Sequence, residues 1–332
     1  MIEDERIAAV AAHGFTPRQA AFLATVMLHA GVCVPRQYTA FAGIAFGHTT
    51  REFFARLTRQ GFATAYPCWR GAGRIYHLHH KGLYRAIGEP DNRHRRPATV
   101  ARAIERLMVL DAVLADRQTA WLATEREKVA YFVERRGLKP AELPKLVFRQ
   151  RGDVTVRYFP RKLPIGLLHA DQVAFLYLVT DGTGRDFRSF LDTHRSLLQR
   201  LHRWTLRLVF PAGLMAGKNA HTSLVSDLVA PPVRPAVVDE FRWYCHARRT
   251  LENESPAVNC VPDPTRYTAA RRAFGAPRFY AAYRAWRERG ESALTQLLSP
   301  RLHDTWTRGD ARLEIHVLPH QYHHLAPAVG TA

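Results

Sequence analysis

The sequence predicts an α+β protein, and three observations carry that prediction. Roughly the first ninety residues alternate short helical patterns with a glycine-rich hairpin, the middle of the chain reads strand, helix, strand, and the rest is mostly helical. A length of 332 residues suits two or three hydrophobic cores rather than one. The expected segments are 1–90, a linker helix within 91–117, an α/β module over 118–235, and a basic helical region over 236–332.

The first region is the most specific. Thr16-Pro17 combines a capping residue with a proline at the first helical position, so a helix is expected to run to about Ala30 with Ala20, Leu23, Ala24 and Met27 facing inward. A short helix begins at Pro35 and carries Tyr38, Phe41 and Ala42; Gly43 to Gly47 makes the turn. A third helix spans about His48 to Gln60 and stops at Gly61, which suits a left-handed cap. Its Phe53, Phe54 and Leu57 point inward. That leaves His48, Thr49, Thr50 and Arg51 at an exposed N-terminal end, with Glu52, Arg56 and Arg59 along the outer side. A strand (Phe62 to Cys68), a hairpin (Trp69 to Arg74) and a returning strand (Ile75 to His79) precede a closing helix from Lys81 to about Ile87.

This order predicts a winged helix-turn-helix, whose third helix presents its N-terminal residues to the major groove. In that role Thr49, Thr50, Arg51 and Arg56 read bases from the helix that His48 opens, and Arg59, Arg70, Arg74 and Lys81 grip phosphates.

Charge points the same way. There are 48 Lys+Arg against 29 Asp+Glu, a formal net charge of +19, which favours an anionic partner (nucleic acid, an anionic membrane surface or a strongly acidic protein) and, together with the pattern above, double-stranded DNA. The N-terminus opens Met1-Ile2-Glu3-Asp4-Glu5 with no apolar stretch behind it, and Val173 to Val179 is far short of the roughly 20 residues that span a bilayer, so a cytoplasmic protein with no membrane partner is expected. Cys33, Cys68, Cys245 and Cys260 are scattered without a C-x-x-C pair, as in a chain with reduced thiols. One winged helix reads a short site, so a homodimer on a repeated sequence is expected, through the central module.

Beyond the basic link Pro90 to Pro97, Thr99 to Ala115 has the stripe of an amphipathic helix. Val154 to Phe159 alternates as a strand does, and Gln172 to Thr180 is continuously apolar, as a strand buried on both faces would be. Asp186 to Leu201 has helical spacing, and Thr205 to Phe210 is a strand ended by Pro211. Pro231 to Pro235 reads as a linker or a loop, and a last strand, Arg312 to Leu318, stops at Pro319.

Over about residues 15 to 210 the chain resembles the replication-relaxation family of plasmids and integrative elements. The likeness lies in Phe15-Thr16-Pro17-Arg18-Gln19 and Arg51-Glu52-Phe53-Phe54-Ala55-Arg56-Leu57, followed by the hairpin. The resemblance implies that a restriction-endonuclease-like module follows, with Leu163-Pro164-Ile165-Gly166-Leu167 where such modules carry Pro-Asp-Gly. Leu178-Val179-Thr180-Asp181-Gly182-Thr183 stands where they carry an acid-x-Asp strand end. Ile165 and Val179 replace two of the acids and only Asp181 is left, so the module is expected to be degenerate, a scaffold or dimerisation platform. Asp181-Gly182-Thr183-Gly184 then reads as a turn capping the next helix.

His77-Leu78-His79-His80 and His320-Gln321-Tyr322-His323-His324 lack metal-ligand spacing and are expected at the surface or on phosphates. Tyr267 to Gly275 with Phe279 to Arg287 resembles the helix-turn-helix of many transposases, making Arg271, Arg272, Arg278, Arg284 and Arg287 secondary DNA contacts. The alternative is a helical hairpin packed on Phe274, Tyr280, Tyr283 and Trp286. No catalytic residue, metal or cofactor is expected. The function these readings imply is sequence-selective duplex DNA binding by a transcriptional or replication regulator of a bacterial mobile element. A metal-dependent DNA nuclease and a protein-interaction adaptor are the alternatives.

Overall fold

Thr16 and Gln19 open the first long helix reciprocally. The Thr16 N–H donates to Gln19 Oε1 at 3.2 Å and the Gln19 N–H to Thr16 Oγ1 at 3.3 Å, with Pro17 in the first turn. The computed structural model describes residues 3–68, 73–150, 153–168, 171–253 and 263–322. Along the chain run α1 (Asp4–Ala11), α2 (Pro17–His29), β1 (Val32–Cys33), α3 (Pro35–Ala42), α4 (His48–Arg59), β2 (Ala63–Pro67), β3 (Arg74–Leu78), α5 (Lys81–Ala86) and α6 (Val100–Ala115). Then come β4 (Ala120–Leu122), α7 (Glu125–Ala130), β5 (Lys145–Gln150), β6 (Asp153–Tyr158), β7 (Ile165–Leu167), β8 (Val173–Leu178), α8 (Arg185–Leu198) and β9 (Trp204–Pro211). The helices α9 (Lys218–Leu228), α10 (Pro235–Asn253), α11 (Pro264–Ala273), α12 (Pro277–Arg289), α13 (Thr295–Leu298) and α14 (Arg301–Thr307) precede β10 (Ala311–Leu318). Helices and three separate sheets among the described residues make an α+β architecture. Contacts divide the chain into two compact units, Met1–Thr180 with Thr205–Met215 and Leu313–Ala332, and Asp181–Trp204 with Ala216–Arg312.

In the first unit a three-stranded sheet has the order β1-β3-β2, antiparallel throughout, with Cys33 opposite Tyr76 and Ala65 opposite Tyr76 on the other side. The core against it gathers Phe22, Leu23 and Met27 of α2, Tyr38 of α3, and Phe53, Phe54 and Leu57 of α4. Gly43 closes α3 in the left-handed region (φ 65°), where a side chain is disfavoured, and its N–H donates to the Thr39 carbonyl. The segment expected as a linker helix is a packed part of this core. Ala103, Leu107, Leu110 and Val113 of α6 are buried, because its apolar stripe needs a partner. Polar contacts add to it: Arg36 of α3 forks onto Asp111 of α6 at 2.9 and 2.7 Å, and Gln37 Nε2 donates to the Leu107 carbonyl at 3.0 Å.

A five-stranded sheet with order β10-β9-β8-β7-β4 lies further along the same unit, β7 antiparallel to both β4 and β8. All six residues of β8 are buried, as its continuous apolar run requires. Arg207 of β9 is buried between two carboxylates, donating to Asp116 at 2.7 Å and Glu314 at 2.8 Å. Lys128 of α7 is also buried; its Nζ donates to the Leu163 carbonyl at 2.7 Å, and burial holds its pKa down at about 7. Strands β5 and β6 form a ribbon of their own. The alternation expected over Val154 to Phe159 gives no continuous buried face: Asp153 to Arg157 are all exposed, Tyr158 is half-buried, and only Phe159 is buried.

The second unit is helical. Phe241 and Tyr244 of α10, Phe274 beside α11, and Phe279, Tyr283 and Trp286 of α12 form its core. Ahead of α8 the segment Asp181–Gly184 is a turn, in which Asp181 Oδ1 accepts from Thr183 N, Thr183 Oγ1 and Gly184 N at 2.7–2.8 Å. Those hydrogen bonds favour the carboxylate and hold its pKa below the ordinary aspartate range against the opposing effect of burial.

Candidate nucleic-acid interface

The apolar phase of α4 decides which of its residues are free. Thr50, Phe53, Phe54 and Leu57 share the buried face, three and four residues apart. Thr50 is therefore not at an exposed helix end as expected: it is 0% accessible, and its hydroxyl has no partner among the described residues. The exposed set is His48, Thr49, Arg51, Glu52, Ala55 and Arg59. Because a buried, unbonded hydroxyl is costly, Thr50→Val is expected to raise stability by about 1 kcal/mol. Urea unfolding checks this; a loss of stability would mean that the hydroxyl is satisfied.

Gly47 precedes α4 in extended conformation (φ −158°) and supplies no side-chain cap to the first-turn amides among the described residues. His48, Thr49 and Arg51 stand on the exposed side of that end. The Arg51 guanidinium lies 5.5 Å from the ring of Phe46, which is 57% exposed. Arg59 pairs with Glu52 at 2.9 Å, both side chains in solvent; that hydrogen bond keeps the Glu52 carboxyl below its ordinary pKa.

Arg56 is placed differently from the base-reading position expected of it. Its Nη2 donates to Gln19 Oε1 at 3.1 Å, its guanidinium stacks 4.5 Å from the Phe15 ring centre, and it is half-buried. It ties α4 to the start of α2, a tertiary contact that helical phase alone cannot foresee.

The hairpin β2–β3 keeps Arg74 exposed at its outer end, opposite Pro67. Arg70, the other expected hairpin cation, lies outside the described residues. Lys81 is exposed at the start of α5, and so is Arg85 four residues on; sequence reading missed Arg85 although the spacing puts both on one face. Arg18 was missed too. It is exposed on α2, and its Nη1 reaches the Ala42 carbonyl at 3.3 Å. From residue 16 to 87 the chain carries nine cations (Arg18, Arg36, Arg51, Arg56, Arg59, Arg70, Arg74, Lys81, Arg85) and the single acid Glu52.

The histidines expected at the surface divide. His77 is 3% accessible and its Nε2 donates to the His94 carbonyl at 2.9 Å, because β3 points it into the core. His79 and His80 are half-exposed, and His320 is exposed. His323 and His324 lie outside the described residues. Among the described residues no group of three His, Cys, Asp or Glu converges as metal ligands. Ile165 and Val179 are buried apolar residues of the first unit, and Asp181 serves the turn described above.

Of the five C-terminal arginines, Arg271 and Arg272 are exposed. The other three are held by neighbours. Arg278 donates to the Pro231 carbonyl at 3.1 Å, Arg284 pairs with Asp192, and Arg287 with Glu252 at 3.1 Å. The helical hairpin packs Phe274, Tyr283 and Trp286 as expected, while Tyr280 stays 42% exposed. Comparison with known proteins returned no family model, no curated protein and no solved structure that matches this chain.

Proposed function

We propose that residues 16 to 87 are a winged helix-turn-helix and that the protein binds duplex DNA through it in a sequence-selective way. The observation that carries this is the outer N-terminal end of α4, where His48, Thr49 and Arg51 are exposed around uncapped amides. The order α2, β1, α3, α4, β2, β3 and the sheet order β1-β3-β2 support it, as does the ratio of nine cations to one acid. Arg51 reads a base edge, helped by Thr49 and His48. Arg74, Lys81 and Arg85 hold phosphates. Arg56 positions the helix, and Arg59 is partly neutralised by Glu52.

A transcriptional or replication regulator of a mobile element is the role we assign, in line with the family resemblance. The test is an anisotropy titration against duplexes selected from a randomised pool. Binding should weaken steeply with salt, with log K linear in log salt. Arg51→Ala should lose about 1–3 kcal/mol on the selected site and relax its sequence preference. Arg74→Ala should weaken all duplexes alike and reduce the salt slope by about 1. Binding that ignores salt, or that survives Arg51→Ala with preference intact, overturns the assignment.

A further inference from the structure

The ribbon β5–β6 is unusual for the apolar side chains it leaves in water. Of eleven large apolar residues that stay well exposed among the described residues, five are here: Leu146, Val147, Phe148, Val154 and Val156, the last 37% and Val154 62% accessible. A lone two-stranded ribbon is marginal, and an open strand edge is a template for another strand. Backbone direction tells which groups of β6 are open. The Tyr158 N–H donates to Glu125 Oε1 at 2.8 Å, away from β5, whereas the Phe159 N–H donates inward to the Pro144 carbonyl at 2.7 Å. Strand alternation then turns the backbone groups of Val154 and Val156 outward, to the unpaired edge.

We propose that β6 pairs with β6 of a second copy of this chain, antiparallel about a two-fold axis at Thr155. In this register Val154 faces Val156 of the second copy. Both have outward backbone groups, so each such pair exchanges two hydrogen bonds, and symmetry provides the pair twice. Asp153 then falls opposite Arg157 of the second copy, and Arg157 opposite its Asp153. Neither residue makes a side-chain hydrogen bond or ion pair among the described residues, and both are exposed. The neighbouring registers are poorer. Centring on Val154 sets Asp153 against Thr155; centring on Val156 sets Arg157 against Thr155 and requires the Tyr158 N–H that Glu125 already occupies. Charge and backbone direction select the same axis.

The pairing also extends the apolar face. Val147 lies opposite Val156 across the ribbon, so Val147, Val156 and Val154 of the second copy form one cross-strand row. Two short strands bury less than the roughly 1,200 Å² of a standard interface, so the dimer is concentration-dependent. It does not depend on DNA binding and is tested without DNA.

Full-length Thr155→Cys, mildly oxidised, should form a disulfide dimer on a non-reducing gel. A non-hydrogen-bonded antiparallel pair sets Cα atoms about 4.5 Å apart, inside the disulfide range. Val154→Cys, diagonal to itself across the axis, and the wild type set the background that includes Cys68 and Cys260. In sedimentation velocity the wild type should show a monomer–dimer equilibrium. Arg157→Asp should weaken it about tenfold by opposing two acids, and Asp153→Arg with Arg157→Asp should restore it to within about threefold. Cross-linking of Thr155→Cys no greater than of Val154→Cys, or a double variant no better than Arg157→Asp alone, overturns the proposal.

Discussion

Acidification from pH 6.5 to 4.5 is expected to destabilise the first unit by about 2 kcal/mol or more, before most carboxylates titrate. The cause is a cluster of buried histidines around Gly31. That glycine is left-handed (φ +71°), and a Cβ on it would come within 2.6 Å of the His94 Cβ. His29, His77 and His94 are 8%, 3% and 4% accessible. Burial is the largest effect on each, lowering His29 from 6.5 to about 4, and His77 and His94 also below the ordinary value. A histidine depressed in the folded state binds its proton in the unfolded state first. Its contribution is therefore complete above pH 6.5 and is lost as pH falls toward the folded value. For His29 the shift amounts to on the order of 3 kcal/mol, with the other two acting in the same direction. Lys128 acts at the other end of the scale: with a folded pKa of about 7 it makes stability rise above neutrality and is silent below it. Urea midpoints measured every half unit of pH check this. A profile level to within about 1 kcal/mol over the window contradicts it, and His29→Leu should visibly flatten the slope.

Phe54→Ala should be the most damaging single substitution near the candidate interface. Phe54 is 2% accessible, and its ring centre lies 4.4 Å from Tyr76 and 5.0 Å from Phe53. Removing a buried phenylalanine leaves a cavity and costs about 3–5 kcal/mol, a large part of the 5–15 kcal/mol typical of a domain. Because it joins α4 to β3, its loss should leave the first region marginally stable and, on the proposed reading, weaken DNA retention with it. Phe46→Ala serves as the control. That side chain is 57% exposed, and its removal should change stability by less than about 0.5 kcal/mol. A loss under about 1 kcal/mol for Phe54→Ala would mean that α4 is not anchored through this contact.

Most helices and strands of the first region were legible because they have local signals: Thr16-Pro17, Pro35 and Gly43 fix boundaries through capping and backbone geometry, whereas α1 and the two-residue β1 were not expected. The buried strand Val173–Leu178 was legible from its unbroken apolar run. What failed did so for tertiary reasons. Thr50 reads as exposed because it is polar and close to the helix start, but the three-and-four spacing to Phe53, Phe54 and Leu57 turns it inward. Arg56 has the outward phase of a reader, yet Gln19 and Phe15 are near enough to claim it. Arg284 and Arg287 are claimed in the same way by Asp192 and Glu252, remote in sequence.

Sequence alone determined the basic excess and the order of α2 to α5 apart from the short β1, because propensity, capping and net charge are local or additive properties. Only the tertiary structure decided which cations remain available, that α6 belongs to the first core, and that among the described residues β6 pairs with a strand on one side only. Those outcomes depend on distances between segments far apart along the chain, where a hydrogen bond or an apolar contact forms only if both partners arrive.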